Sequence, residues 1–326
     1  MQPNCVTAGA GSRALTVLFG LLALAPVQAV DLRATDTTGE FFRYWDATAA
    51  LTQEQRAQRF LDTVVAAHPE LFNESVLGKS AVSESVGAER AREVARAYVK
   101  EVAAFVPRMR QISESIGHDL DGYARAFLET FPDYRAATPV YFTVSLFSFD
   151  GATREVKGHT ALLFGIDGIA RYHRADEKLS VLFDHELFHQ YHAQVAPEFD
   201  QDRAPLWLSL WEEGLATYVS QQMNPGTTDA VALMSPALAG KSQAVLPILA
   251  RELLANFDSL DQKEYAAFFY GSNGRADIPP RAGYYVGLLI AREIAAGRPL
   301  TTVANLQGAS LRAAVFAALQ RLCTKD

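Results

Sequence analysis

The segment His185-Glu186-Leu187-Phe188-His189 constrains this chain more than any other feature of its sequence. It lies within the apolar run from Leu179 to Val195, which favours a helix. Residues four positions apart share one face of a helix, so the two histidines would lie side by side. Their imidazoles could then bind one tetrahedral zinc ion, with the glutamate as general base toward a metal-bound water. The alternative is a surface helix with two solvated histidines.

A zinc site of this kind needs a third protein ligand and an open position for water. The next predicted helix, residues 206–222, contains the segment Trp211-Glu212-Glu213-Gly214-Leu215-Ala216-Thr217-Tyr218. Pro197 lies between the two helices and lets the chain turn back. Glu213 is the preferred third ligand because the following glycine allows the helices to approach closely. Glu212 is the rival ligand.

These two motifs together resemble the gluzincin metallopeptidases, and more closely a set of bacterial predicted zinc-dependent proteases. In gluzincins the glutamate before the glycine completes the zinc site, which implies that role for Glu213. The segment Arg281-Ala282-Gly283-Tyr284-Tyr285-Val286-Gly287 fits the late Gly-Tyr-Tyr helix of the bacterial group. The resemblance covers about residues 140–295. It departs from the aminopeptidase pattern in its longer gap between the motifs and in having Glu212 where asparagine is usual.

Other polar side chains are candidates for supporting roles. Tyr284 could donate a hydrogen bond to the oxyanion that forms when a carbonyl is attacked. Alternatively, Tyr284 and Tyr285 are core aromatics beside close-packing glycines. His192 either supports a ligand or substrate, including the oxyanion, or lies at the rim of the site. Asp184 points away from the metal face and is expected to be a cap or a surface group.

The remaining pattern predicts a mainly helical α+β fold, with a gluzincin-like catalytic core and a short β region before the active-site helix. Thr52 and Gln55 form a capping box, and Pro107 should end or kink a long helical stretch over residues 83–116. Residues 159–167 form either a sheet edge that binds an extended peptide or a buried supporting strand. Another strand is predicted at 140–149, and further helices at 121–131, 245–256, 283–295 and 309–322.

The N-terminus reads as a secretory signal. Arg13 precedes an apolar stretch, Ala14 to Ala25, and Val27-Gln28-Ala29 supplies small residues for cleavage after Ala29. This apolar stretch is shorter than the roughly 20 residues that span a bilayer. The predicted organisation is a signal peptide (1–29), a helical N-terminal region (30–135) and a catalytic region (136–326). The expected location is the bacterial periplasm or the exterior.

Composition narrows the possible partners. The net charge of −7 and the lack of a long basic run exclude nucleic acid as the main partner. Cys323 would be the one cysteine left after signal cleavage, so no intramolecular disulfide is expected. No second apolar stretch reaches membrane-spanning length, so no span is expected in the mature chain.

The sequence therefore predicts an exported zinc metallopeptidase with Zn2+ as cofactor and a peptide or protein as substrate. His185, His189 and Glu213 would hold the metal, and Glu186 would act as general base. Two alternatives remain. One is a zinc hydrolase of a non-peptide amide or ester that uses the same residues, and the other is a non-catalytic binding module that contains zinc.

Overall fold

The computed structural model describes Leu32 and residues 34–174, 178–197 and 204–324. The predicted signal peptide, residues 1–29, lies outside this part of the chain. Helix accounts for 65% of the structure and strand for 7%, which confirms a mainly helical α+β fold. Among the described helices, none is both long and apolar enough to cross a membrane.

The first part of the chain is helical apart from one short strand, β1 (Ala34–Asp36). The predicted capping box is confirmed, since Gln55 N–H donates to the Thr52 hydroxyl and Thr52 N–H donates to the Gln55 side chain. The helices are α1 (Thr38–Ala47), α2 (Gln53–Phe60), continued by a π-helical turn at Leu61–Val65, α3 (Glu74–Leu77), α4 (Ala88–Val102) and α5 (Val106–Thr130).

The predicted break at Pro107 is confirmed, because α4 ends before it and Pro107 lies in the first turn of α5. A proline is tolerated there because the first turn has no intrahelical N–H bonds to lose. The separate short helix predicted at 121–131 is wrong. It is the C-terminal part of α5, which continues through Gly117 and Gly122 without interruption.

A four-stranded sheet follows, with the spatial order β1-β2-β4-β3. The two pairs β1–β2 and β2–β4 are parallel, and β3–β4 is an antiparallel hairpin. Because β4 lies inside the sheet, the edge-strand prediction for residues 159–167 is wrong and the buried alternative is right. The edge strand beside it is β3, which was not predicted. The strands are β2 (Val140–Thr143), β3 (Gly151–Val156) and β4 (His159–Gly165).

The strand predicted at 140–149 ends early because the chain turns sharply after Thr143. Leu146 and Phe147 have φ values of 52° and 60°, a left-handed conformation that is costly for bulky residues. The buried carboxylate of Asp167 holds this turn by accepting the Ser145 N–H at 2.7 Å and the Phe147 N–H at 3.0 Å. The turn therefore sets where the next residues, Asp150 and Gly151, enter the structure.

The rest of the described chain is helical. The motif helix α7 has the bounds predicted from sequence, and α8, α11, α13 and α15 begin and end within one residue of their predicted bounds. Five short helices, α6, α9, α10, α12 and α14, were not predicted. The helices are α6 (Ile166–Tyr172), α7 (Leu179–Val195), α8 (Leu206–Met223), α9 (Asp229–Ala232), α10 (Leu238–Gln243), α11 (Leu246–Ala255), α12 (Gln262–Phe269), α13 (Ala282–Ala295), α14 (Leu300–Ala304) and α15 (Gly308–Leu322).

Helices α8 and α13 cross at two glycines. A Cβ atom added to Gly214 would lie 2.1 Å from the Gly287 carbonyl carbon, and one added to Gly287 would lie 2.3 Å from the Leu210 carbonyl oxygen. Gly283 packs instead against the ring of Phe269. The predicted close-packing face is therefore present, and it presses α13 onto the helix that carries Glu213.

The N-terminal region packs on the motif helix. β1 pairs with β2, and the ring of Phe131 lies 4.5 Å from that of Tyr191 on α7, measured between centroids. Phe131 also contacts Phe188, which lies within the His-Glu-x-x-His segment. The domain division at residue 135 stays a prediction, but the two sides share packed aromatic side chains.

Candidate metal site

His185 and His189 lie one turn apart on α7 and face Glu213 on α8. Their Nε2 atoms are 3.1 Å apart. The Glu213 Oε2 atom is 3.4 Å from Nε2 of His185 and 3.5 Å from Nε2 of His189. Among the described residues, these three form the group of side chains that can hold a metal ion. All three side chains are at least four-fifths buried.

The spacing of these atoms fits a zinc ion. Tetrahedral zinc with bonds of about 2.0–2.1 Å holds its ligand atoms roughly 3.3 Å apart. The three observed separations of 3.1, 3.4 and 3.5 Å lie close to that value. Two histidines and one glutamate also form the ligand set of known catalytic zinc sites with an open fourth position.

The charges of the three groups support one another. Burial alone would raise the pKa of Glu213, but the charge of His189 and hydrogen bonds from both histidines hold it well below its usual range. Burial would lower the pKa of His189, but the Glu213 charge raises it to about 9. Burial lowers the pKa of His185. Glu213 is therefore ionised in the pH range where a divalent cation would bind.

Glu212 lies on the other side of His189. Its Oε1 atom is 3.9 Å from Nδ1 of His189, the ring nitrogen that faces away from Glu213. That distance is too long for a hydrogen bond, so the Glu212 charge acts on His189 across space, where it helps to raise the pKa of the imidazole. The geometry thus puts Glu213, the preferred ligand, with the two Nε2 atoms and puts Glu212 behind one of them.

Glu186 is partly buried at the same site, against the backbone of β3. A Cβ atom added to Gly151 would lie 2.5 Å from its Oε1 atom, so the carboxylate occupies the space that a side chain at 151 would fill. Burial raises the pKa of Glu186 to about 7, and the charge of Asp150 acts in the same direction. A carboxylate with such a pKa can both accept and return a proton near neutral pH.

Asp150 and His173 form a pair that sequence reasoning missed. Asp150 Oδ2 lies 2.8 Å from Nε2 of His173, and Asp150 Oδ1 accepts the Gly151 N–H at 2.9 Å. Burial would raise the pKa of Asp150, but His173 lowers it to about 2. The pair thus anchors the glycine that faces Glu186. The Asp150-Gly151 dipeptide gave only a turn signal in the sequence.

The tyrosine candidates differ in their surroundings. Tyr284 lines the cavity beside the three candidate ligands, and its ring is covered by the Arg281 guanidinium at 4.6 Å from the ring centroid. Burial and then the charge of Glu213 raise the pKa of Tyr284 well above its usual value. Tyr285 instead donates a hydrogen bond to Gln243 at 2.6 Å. Of the two, Tyr284 is the one placed to contact a substrate.

Tyr265 also lines the cavity and was missed because α12 was not predicted. Burial and then the charges of Glu213 and Glu212 raise its pKa above the usual range. Its ring stacks on Phe269 with centroids 4.9 Å apart. Asp261, which caps α12 by accepting the Lys263 N–H, was the available sequence signal for this helix.

His192 and Asp184 are both buried. His192 is 1% exposed and stacks on Phe188, and burial together with the charge of His189 lowers its pKa to about 3. Asp184 is not a cap or surface group, and that expectation was wrong. It is buried and accepts a hydrogen bond from Asn224 at 2.7 Å, and burial raises its pKa to about 7.

A cavity of about 700 Å³ lies over the candidate ligands. One wall is the edge strand β3, from Gly151 to Arg154, and the other includes α7 from His185 to Gln194. Tyr265 and Tyr284 close one side. The cavity therefore joins the three candidate ligands, Glu186 and an open strand edge in one continuous cleft.

Comparison with known proteins gives no match: no family model, no curated protein and no solved structure corresponds to this chain. The residues of this cleft are therefore the features of the chain that bear on its function.

Proposed function

We propose that this protein is an exported, gluzincin-type zinc metallopeptidase that holds its metal with His185, His189 and Glu213. The observation that carries the proposal is the triangle of ligand atoms with sides of 3.1, 3.4 and 3.5 Å. A partly buried carboxylate with a pKa of about 7, Glu186, lies beside it. An ion-binding site that served structure alone would more usually be closed by four protein ligands.

Zinc bound there would lower the pKa of a water molecule toward ~7 and polarise the substrate carbonyl. Glu186 takes the proton from the attacking water and passes it to the nitrogen of the leaving amine. Its raised pKa suits both steps, since the proton must be accepted and then released. Gly151 leaves the space that its carboxylate needs.

Tyr284 is the proposed donor to the carbonyl oxygen as negative charge grows on it. Its raised pKa keeps the hydroxyl protonated, and Arg281 over the ring fixes its orientation. Tyr265 lies in the same wall and is the alternative donor.

The cleft favours a peptide over a small amide or ester. Its wall is β3, the edge strand of the described sheet, to which an extended peptide can add as a further strand. Backbone hydrogen bonds along that edge would place a peptide across the candidate ligands. A small non-peptide substrate would leave most of the edge unused.

The test compares purified wild type with Glu186→Gln and His189→Ala. We expect about one zinc per chain in the wild type and in Glu186→Gln, and loss of zinc in His189→Ala, measured by elemental analysis. Removal of the general base should lower peptide cleavage by roughly 10²–10⁴-fold. Glu155→Gln, on the same strand but exposed and outside the cavity lining, is the matched control and should cleave as wild type does.

Zinc-free wild type, or full cleavage by Glu186→Gln, would refute the proposal. Cell-wall fragments and simple esters are assayed beside the peptides. Zinc-dependent hydrolysis of these alone would support the non-peptide hydrolase instead.

A further inference from the structure

Two arginines, Arg135 and Arg154, line the cavity. Within the described chain, neither guanidinium lies within ion-pair distance of an acidic side chain. The Arg154 guanidinium donates to the neighbouring Thr153 carbonyl. The hydrogen bond of Arg135 comes from its backbone N–H, which donates to the Gln194 side chain. Other arginines of the described chain do pair with carboxylates, among them Arg275 with Glu252 and Asp277, Arg292 with Asp229, Arg312 with Asp258, and Arg321 with Glu293.

Both arginines lie toward one end of the cleft. Strand β3 and helix α7 run side by side, with Gly151 against Glu186 and the Thr153 hydroxyl accepting from Gln190 at 2.9 Å. The Arg135 backbone bonds to Gln194, one further turn along α7. Arg154 lies three residues beyond Gly151, which on a strand is about 10 Å. Along β3, the Arg154 backbone is therefore three residues from the glycine that faces Glu186, and both arginines line the cavity that contains the candidate ligands.

The cavity lining contains charged side chains of both signs. The chain carries a net charge of −7, and the cavity lining contains three carboxylates, Glu186, Glu212 and Glu213. A divalent cation would offset two of these charges, and with the two arginines the ionised lining would then carry one net positive charge. The charge of Arg154 reaches Glu186, where it opposes the effect of burial on the pKa.

We propose that the cleft selects substrates with a carboxylate about three residues from the cleaved bond, and that Arg154 and Arg135 bind it. The inference rests on the proposed function and names its substrate class. Arginine suits this role because its planar donors pair with a carboxylate in two parallel hydrogen bonds. The carboxylate belongs either to an aspartate or glutamate side chain or to the C-terminus of the substrate.

The experiment has a cleavage arm and a binding arm. In the first, zinc-loaded wild type digests a library of peptides, and mass spectrometry identifies the cleaved bonds. Matched pairs of peptides are then compared that differ only in glutamate or glutamine two to four residues from that bond, each with a free or an amidated C-terminus. We expect KM to be about tenfold lower for the glutamate or free-acid member, the usual size of one charge-assisted hydrogen bond in an open site.

Arg154→Gln and Arg135→Gln should raise KM for the acidic peptide to that of its neutral partner, and Arg154→Glu should reverse the preference toward lysine. Arg92→Gln removes an exposed arginine on α4, outside the cavity lining, and is the matched control that should keep the preference. Equal fluorescence spectra and melting temperatures across the variants confirm that each has folded.

The binding arm uses immobilised zinc-loaded Glu186→Gln, which binds without cutting, and the same library. We expect enrichment of acidic peptides that the added Arg154→Gln substitution abolishes. Equal KM values within every peptide pair, or retention without acidic enrichment, overturns the inference. Acidic retention by a protein whose wild type cuts no peptide would refute the proposed peptidase and the placement of the carboxylate relative to a cleaved bond, while the two arginines would stand as a carboxylate-binding site.

Discussion

At the scale of single residues, the position of Glu186 depends on the missing side chain of Gly151. We predict that Gly151→Ala moves the carboxylate, because the new Cβ would lie 2.5 Å from its Oε1 atom. Peptide cleavage should fall by at least about tenfold with zinc retained, and overpacking should cost about 1–3 kcal/mol of stability. Activity assays with elemental analysis check this result. Gly117→Ala, in open space on α5, is the control, and full activity in Gly151→Ala would contradict the prediction.

The Asp150–His173 pair should give a stability that depends on pH. The pKa of Asp150 is about 2 in the folded protein, below its ordinary value of 3.8. Its ionised form therefore stabilises the fold above about pH 4, and this stabilisation is lost as pH falls toward 2. The lowered pKa contributes about 2 kcal/mol to the free energy of unfolding at pH 5, and about 1 kcal/mol less at pH 3.

Urea unfolding of wild type and Asp150→Asn at pH 5 and pH 3 measures this contribution. The stability difference between the two proteins should shrink by about 1 kcal/mol at the lower pH. A difference that is constant or grows at pH 3 would show that the pair does not hold Asp150 ionised.

Sequence reasoning reached the residues whose roles follow from spacing along one helix. His185, Glu186 and His189 needed only the helical repeat, and Glu213 needed a second short motif. Asp150 was beyond reach, because it is placed by a turn that Asp167 holds from 17 residues away along the chain. Tyr265 was missed although Asp261 marked the start of its helix. Asp184 was misjudged because a face that points away from the metal was assumed to be exposed, whereas α7 is buried on several sides.

At the scale of secondary-structure elements, long apolar helices with clear ends were predictable and the strands were predictable only in part. α7 and α8 are bounded by proline or polar residues, so their limits follow from the sequence. Strand β3 buries only Ala152 and Val156, and its exposed Thr-Arg-Glu segment hides the alternation of a strand. The order of strands in the sheet could not be predicted, because the sequence pattern indicated only some of the strands.

The crossing of α8 and α13 is the element-level contact most sensitive to added volume. We predict that Gly287→Ala destabilises the protein by at least about 2 kcal/mol, because its Cβ would meet the Leu210 carbonyl oxygen at 2.3 Å. Zinc affinity should fall as well, since Gly214 in the same contact adjoins Glu213. Thermal unfolding and zinc titration measure both effects.

Gly240→Ala on α10 is the matched control. Nothing lies near its would-be Cβ atom, and alanine is the better helix former by about 1 kcal/mol. It should therefore be neutral or stabilising. A Gly287→Ala protein as stable as wild type would show that the two helices separate at little cost.

At the scale of the whole molecule, the motif helix depends on the N-terminal region for part of its packing. Phe127 and Phe131 on one side meet Phe188 and Tyr191 on the other, and all four are almost fully buried. We predict that a fragment of residues 136–326 will not fold cooperatively, because it would expose these rings and lose β1. Circular dichroism during thermal unfolding measures this. A sharp transition with bound zinc would instead establish residues 136–326 as an independent domain.

The pairing of β1 with β2 joins parts of the chain that are far apart in sequence. The Thr37 hydroxyl donates to the Phe142 carbonyl across 105 residues. Bringing such distant segments together is entropically costly and slow, so this pairing should form after the local helices. A bulky fusion partner joined just ahead of Leu32 would slow the pairing of β1 with β2. Attachment beyond Thr324, after the surface helix α15, is the better design for producing the protein.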